Sequence, residues 1–220
     1  MERSGSHGGE KSSGGRTAKK AALIACVVLL AALLMFGAIR YTDLGYTMLG
    51  AALNSLDPDW GEMTYDNGDR YVGEFTDGIK NGRGILYYAD GSRYAGEWKN
   101  DMRNGRGTLL YADGSRYKGE FKDDMRNGRG VLHYSNGKIY RGEFKDGLRT
   151  GQGTMSYDNG DLYKGEFMEE ERNGHGIYYF ANGDRYEGEW KDGNMNGRGT
   201  YHYADGREEI QNYIDGERQD

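Results

Sequence analysis

The chain has 220 residues, of which 38 are Gly, 19 are Tyr, one is Pro and one is Cys. High Gly without a Gly-X-Y period excludes collagen, the many aromatic residues argue against a wholly disordered chain, and a single cysteine excludes an intrachain disulfide and a cysteine-based zinc site. The formal net charge is −6, and an excess of about ten acidic over basic residues in 41–220 argues against nucleic acid as a partner.

The N-terminal segment contains two predicted elements. Residues 1–20 are polar, basic and rich in Gly and Ser, so we expect a disordered tail. Residues 21–39, AALIACVVLLAALLMFGAI, carry no charged side chain. At about 1.5 Å per residue, a helix of this length spans nearly the ~30 Å of a bilayer's hydrocarbon core. We therefore predict a transmembrane helix at 21–39.

Flanking charge predicts the orientation of this helix. Arg16, Lys19 and Lys20 precede it, and it is followed by Arg40 and then by Asp43, Asp57 and Asp59. Because basic residues are retained on the cytoplasmic side, we expect a single-pass protein with a cytoplasmic N-terminus and an extracytoplasmic C-terminal region.

Two other interpretations of the apolar segment remain. A cleavable signal peptide would have a shorter apolar region and a closely following A-x-A site, which this segment lacks. Lipidation at Cys26 would suit the preceding Leu-Ile-Ala, but only five apolar residues come before that cysteine. Both alternatives fit the residues less well than a membrane-spanning helix.

Residues 40–60 connect the apolar segment to the rest of the chain. Apolar residues recur at helical spacing from Leu49 to Leu56, and Pro58 would end any helix there. The pattern is equally compatible with a juxtamembrane linker and with a short helix that caps the first hairpin.

From Tyr71 a 23-residue pattern recurs. Each copy opens with Tyr-x-Gly-Glu-Phe/Trp, continues with Gly-x-Gly, and closes with Asp-Gly or Asn-Gly after a second aromatic segment. The array spans 61–216, and its units are a half-repeat at 61–70, full copies at 71–93, 94–116, 117–139, 140–162, 163–185 and 186–208, and a half-repeat at 209–216. Residues 217–220 are left as a tail. Half-repeats at both ends are typical of capped repeat arrays.

The repeat predicts a β-hairpin. Alternation along the first strand puts Tyr71, Gly73 and Phe75 on one face, and the same parity selects Leu86 and Tyr88 in the second strand. Repeated Gly within strands indicates close packing against it, and Asp-Gly or Asn-Gly supplies tight turns. Because one hairpin is marginally stable alone, we predict an all-β, elongated, single-layer array of antiparallel hairpins that stabilise one another.

This pattern resembles the MORN (membrane occupation and recognition nexus) repeat from Gly61 to Gly216. The resemblance implies consecutive antiparallel hairpins that form a curved ribbon with a groove. It also implies scaffolding, protein binding, self-association or positioning at membranes, and lipid binding has been proposed for the family. Enzymes that carry such repeats have a separate catalytic segment, and the sequence offers no such segment here.

The residues predict no catalytic, cofactor or metal site. His133, His175 and His202 do not share one repeat offset, so no metal cluster is expected. The Gly-x-Gly recurs with the hairpin period and opens no helix, which argues against a phosphate loop.

A regular set of charged residues is the best surface candidate. One Glu and, in four copies, one Arg recur at fixed offsets on the face opposite the predicted core. We refer to this set as the charge ladder: Glu74, Glu97, Glu120, Glu143, Glu166, Glu189, Arg83, Arg106, Arg129 and Arg198. The residues either pair with one another as solubilising charge or form a docking strip for a partner.

Together these features predict a membrane-anchored scaffold or protein-binding module without catalytic activity. The expected contacts are the membrane through Ala21–Ile39 and an unidentified protein partner or a second copy, with no nucleic acid and weak or no phospholipid binding by the repeats. The alternative is a cell-wall or glycan-binding module. Alternation places most aromatic residues on the core face, which disfavours this alternative. The outward-facing Tyr87 and Tyr179 are too sparse to form a surface on which sugars could stack.

Overall fold

A computed structural model describes residues 59–219, which form one antiparallel sheet of 15 strands in sequence order. The strands are β1 (Trp60–Thr64), β2 (Arg70–Thr76), β3 (Ile79–Tyr87), β4 (Arg93–Lys99), β5 (Met102–Leu110), β6 (Arg116–Lys122), β7 (Met125–His133), β8 (Ile139–Lys145), β9 (Leu148–Ser156), β10 (Leu162–Met168), β11 (Glu171–Tyr179), β12 (Arg185–Lys191), β13 (Asn194–His202), β14 (Glu208–Ile214) and β15 (Glu217–Gln219). The predicted all-β array of antiparallel hairpins is confirmed.

The predictions for the N-terminal tail, the transmembrane helix at 21–39 and nearly all of the 40–60 connection lie outside the described residues. Within residues 59–219, no helix has the length and apolar character needed to cross a membrane.

The sheet extends slightly beyond the predicted 61–216 array. It begins at Trp60, and the segment assigned to a C-terminal tail forms β15 up to Gln219. The reason is the turn at Asp215 and Gly216, whose φ angles of 49° and 88° bring the chain back against β14.

Two kinds of turn alternate along the sheet. Within each repeat a two-residue turn joins the strands, and both of its residues have positive φ, as at Asp77 (53°) and Gly78 (77°). This geometry matches the right-handed twist of the flanking strands. We call the side of the sheet that carries these turns the turn edge.

At the opposite edge, the predicted Asp-Gly and Asn-Gly turns are present, but only the Gly has positive φ there, as at Gly91 (89°). The Gly91 N–H donates to the Tyr88 carbonyl at 3.0 Å, and the Tyr88 N–H donates to the Ser92 carbonyl at 3.0 Å. These turns are therefore wider than the predicted tight hairpins.

The core lies on one face of the sheet. The Tyr that opens each repeat is fully buried, with 0 % of its surface exposed in all six copies. Each such ring meets the Phe or Trp of its own repeat and the aromatic ring of the next one edge-on, as Tyr94 does with Trp98 at 5.1 Å and with Phe121 at 5.0 Å. Edge-to-face pairs contribute about 0.5–1.5 kcal/mol beyond area burial, so this continuous series joins the repeats into one core.

Candidate binding face

The opening Tyr explains the glycines of the motif. Tyr117 extends across Gly119 and Gly130, which are paired across β6 and β7, and a Cβ at either glycine would collide with the phenol ring. Its hydroxyl donates to the Glu120 carbonyl at 2.9 Å. The pairing register shifts between Gly119 and Glu120, and this bulge lies at the carbonyl that accepts the bond.

Burial of these rings fixes their protonation state. Desolvation raises the pKa of Tyr117 to about 12, although the nearby Arg126 opposes the shift. Desolvation likewise raises the pKa of Tyr186 to about 12. At neutral pH both phenols are protonated donors, which suits a structural role and not acid–base chemistry.

A series of cations covers the aromatic core. Arg126 lies 5.2 Å from the ring centre of Phe144, and its Nη2 donates to the carbonyl of Gly147 in the next turn at 2.6 Å. Arg172 lies 4.4 Å from the ring centre of Trp190. In three other repeats the equivalent position is occupied by a cation that also lies over an aromatic ring: Lys80, Arg103 and Arg149. These side chains shield the core from solvent and join successive repeats.

The charge ladder lies on the opposite face, where register brings three of its four arginines next to the Glu of the following repeat, while Arg198 lies opposite Asn212. Arg83 pairs in register with Glu97, Arg106 with Glu120, and Arg129 with Glu143. Gln152 and His175 occupy the Arg place in two repeats, opposite Glu166 and Glu189. The predicted alignment of these residues in one line is thus present in the sheet.

The glutamates have a local role that the sequence did not suggest. Gly128 has φ of 67°, and the Glu120 carboxylate folds against it, so that a Cβ at Gly128 would collide with the carboxylate. The Glu166 carboxylate accepts a hydrogen bond from the His175 N–H at 3.1 Å. The glycine at this offset in each of the six repeats is covered in the same way. Each Glu therefore supports the hairpin to which it belongs.

The arginines of the ladder are exposed. Within residues 59–219, none of Arg83, Arg106, Arg129 and Arg198 has a carboxylate oxygen within the 4.0 Å of an ion pair. The ladder arginines and glutamates therefore do not neutralise one another by direct contact, and the guanidinium groups face solvent.

A second line of cations runs parallel to the ladder. Lys118, Arg141 and Lys164 occupy one offset in three successive repeats, and all three are exposed. In register they alternate with Thr108, Val131, Thr154 and Ile177. We call Lys118, Arg141 and Lys164 the basic row. Between the ladder and this row lies an open groove in two successive segments. The first is lined by Arg106, Lys118 and Arg129 and floored by the backbone of Gly119 and Gly130, and the second is lined by Lys164 and floored by Gly165 and Gly176.

The histidines do not converge on a site. His202 Nδ1 lies 2.8 Å from a Glu208 carboxylate oxygen, and burial together with Arg116 and Arg141 lowers the pKa of His133. Across the part of the chain that the structure describes, no cluster of three His, Cys, Asp or Glu side chains could hold a metal ion.

Sequence reasoning missed the core-covering cations and the basic row. Both were detectable, since a Lys or Arg stands nine residues after the opening Tyr in five of the six copies, and directly after it in three. What alternation could not provide was the cross-strand partner of each residue beyond the opening glycine, because the bulge there changes the pairing within every hairpin.

The MORN repeat family model matches residues 71–93, 94–116, 117–139, 140–162, 163–185 and 186–206. No curated protein matches the chain.

Solved structures to which the chain is similar include a TCP domain and a TCP10 domain. The SAS-4 (dCPAP) TCP domain of Drosophila melanogaster, in complex with a proline-rich motif of Ana2 (dSTIL), is 16 % identical with a TM-score of 0.45, and the match covers 69 % of this chain and 83 % of that one. The TCP10 domain of Danio rerio CPAP, in complex with a STIL peptide, is 17 % identical with a TM-score of 0.41, and the match covers 71 % and 75 %. Likenesses this distant support no functional conclusion.

Proposed function

The chain belongs to the MORN repeat family, and from this premise we propose that it is a membrane-anchored scaffold or protein-binding module without catalytic activity. The observation that carries the proposal is the charge ladder. Its arginines recur on one exposed face and form no ion pair with any residue in 59–219, so they are available to a partner.

The different side chains on the two faces of the sheet favour protein binding over glycan binding. The aromatic rings lie in the core under cations, as Trp190 lies under Arg172, while the opposite face carries charged and β-branched side chains. A glycan-binding surface would need exposed rings in series. Only Tyr179, with 37 % of its surface exposed, is an exposed large aromatic in 59–219.

The proposed anchor is Ala21–Ile39, with the basic residues before it in the cytoplasm and the repeats on the other side. Its support is the length of the apolar segment and the asymmetry of flanking charge. Protease added outside sealed, correctly oriented vesicles should digest the repeats. Cleavage of only the first twenty residues would mean the opposite orientation, and a mature chain beginning after residue 40 would mean a cleaved signal.

Partner binding is tested with the affinity-tagged full chain in detergent. We expect Arg106→Gln/Arg129→Gln to lose a partner that the wild type retains, as measured by quantitative mass spectrometry, or to weaken self-association measured by sedimentation. The arginines are substituted and not the glutamates, because loss of a ladder glutamate would also disturb the hairpin that it supports. Lys99→Gln/Lys122→Gln removes the same charge from the same two repeats and should retain the partner. If no protein distinguishes the two variants and the wild-type chain is monomeric, the proposal is wrong.

A further inference from the structure

The acidic chain carries its charge unevenly, and the uneven distribution is visible only in the sheet. Acidic residues concentrate in the two-residue turns, including Asp77, Asp101, Asp123, Asp124 and Asp146. The face opposite the core instead carries the basic row beside the arginines and glutamates of the charge ladder. Within residues 59–219, Lys118, Arg141 and Lys164 form no ion pair. Cations without an ion pair therefore lie together on one face of a domain whose net charge is negative.

The two acids that line the groove do not neutralise it by contact. Glu120 and Glu143 lie along the groove, but their carboxylates fold against Gly128 and Gly151. The groove therefore has cations along both sides, with Arg106 and Arg129 on one and Lys118 on the other.

The spacing of the basic row selects the shape of a ligand. Equivalent residues of successive repeats are two strands apart, which is about 9.6 Å. A polyproline II helix advances about 9.3 Å in three residues and returns every third side chain to the same side. The side chains on one face of an extended β-strand are ~6.8 Å apart, which does not match the spacing of the basic row. An α-helix is about 10 Å wide, which is more than the roughly 7 Å between the basic row and the ladder, two residues apart along each strand.

We propose that the groove between the charge ladder and the basic row binds an acidic peptide in the polyproline II conformation, with a carboxylate at every third residue facing Lys118, Arg141 and Lys164. This inference rests on the proposed function of the array in binding proteins, and it names the chemistry of the partner. The preformed, slender helix loses little conformational freedom on binding, and the exposed cations make the contact sensitive to salt.

The test uses the full chain in a neutral detergent and a fluorescent peptide of four Glu-Pro-Pro units. At low salt the wild type should bind this peptide more tightly than a peptide of the same composition with its glutamates clustered at one end. Lys118→Gln/Arg141→Gln/Lys164→Gln should weaken binding about tenfold. Lys99→Gln/Lys122→Gln/Lys145→Gln removes the same charge at the turn edge and should leave binding nearly unchanged.

Four outcomes would overturn the inference: no binding by the wild type, equal binding of the two peptides, equal weakening by the two triple variants, or binding of inositol trisphosphate but not of the peptide. The last would assign the row to anionic headgroups. Circular dichroism of both variants should match the wild type, since all six side chains are exposed. If the wild type does not bind the peptide but does bind a protein partner that depends on Arg106 and Arg129, this inference is refuted and the proposed function stands.

Discussion

Tyr117 donates a hydrogen bond from its hydroxyl to the backbone carbonyl of Glu120, three residues later in the same strand, at 2.9 Å. The bond crosses a glycine and ends at the bulge, so one fully buried side chain stabilises both the core and the irregularity in the strand. The equivalent bond recurs in the other five repeats.

Tyr117→Phe should destabilise the array by about 1 kcal/mol, because the Glu120 carbonyl loses its donor while the ring remains in place. The measurement is the urea midpoint followed by circular dichroism. Tyr111→Phe is the control, since the Tyr111 hydroxyl has no hydrogen-bond partner within residues 59–219, and its effect should be smaller. Equal effects would show that the bond contributes nothing.

The glycines under the rings should tolerate no side chain. Gly130→Ala places a Cβ within the Tyr117 ring and should cost about 3 kcal/mol. Gly114→Ala is the matched control, because Gly114 has φ of +87° but no atom lies within 4 Å of the position that its Cβ would take. Only backbone strain remains there, about 1 kcal/mol. If the two variants have the same urea midpoint, crowding by the ring is not the reason for the repeated glycine.

These two glycines show what the sequence could and could not predict. The period, the hairpins, the core face and the need for Gly beside the aromatic rings follow from spacing and alternation alone. The two-residue turns were not recognised, because pairs such as Asp123 and Asp124 adopt positive φ without glycine. Nor could alternation reveal that Glu120 folds back over Gly128, since that contact depends on the bulge.

Arg126 should stabilise the array through its hydrogen bond and its contact with an aromatic ring, and not through its charge alone. Arg126→Met removes the hydrogen bond to Gly147 and the contact with Phe144 but keeps apolar cover, as Met195 does at the same offset in the last full repeat. We expect a loss of about 1–2 kcal/mol in unfolding free energy. Arg129→Met, on the exposed face of the same strand, should change it by less than about 0.5 kcal/mol. The reverse order would contradict the assignment of Arg126 to the core.

The array should lose stability in alkali. Burial raises the pKa of Tyr117 from 10.0 to about 12, so the stability linked to this phenol is fully present below pH 10 and is lost as the pH rises through 12. The urea concentration at the unfolding midpoint should decrease as the pH rises from 10 to 12. Tyrosinate absorbance should increase over the same range as the β-sheet circular dichroism signal is lost. Ionisation of all tyrosines near pH 10 with an intact sheet would contradict the burial.

The repeats should not bind acidic phospholipids, despite the basic row. A polybasic segment gains about 1 kcal/mol per Lys or Arg near an anionic surface, but a flat bilayer would meet the acidic turns as well as the row. Residues 41–220 also carry an excess of about ten acids, which repels such a surface at long range.

The clearest measurement is co-sedimentation of a fragment that begins at residue 59, because it lacks Ala21–Ile39. With phosphatidylserine vesicles it should remain in the supernatant as fully as with neutral phosphatidylcholine vesicles, even at low salt, where attraction is least screened. A narrow peptide differs from a bilayer in this respect, since it can lie between Lys118 and Arg129 without approaching the turns. Salt-sensitive sedimentation that Lys118→Gln/Arg141→Gln/Lys164→Gln abolishes would mean that the local cations outweigh the net charge and that the basic row faces the membrane.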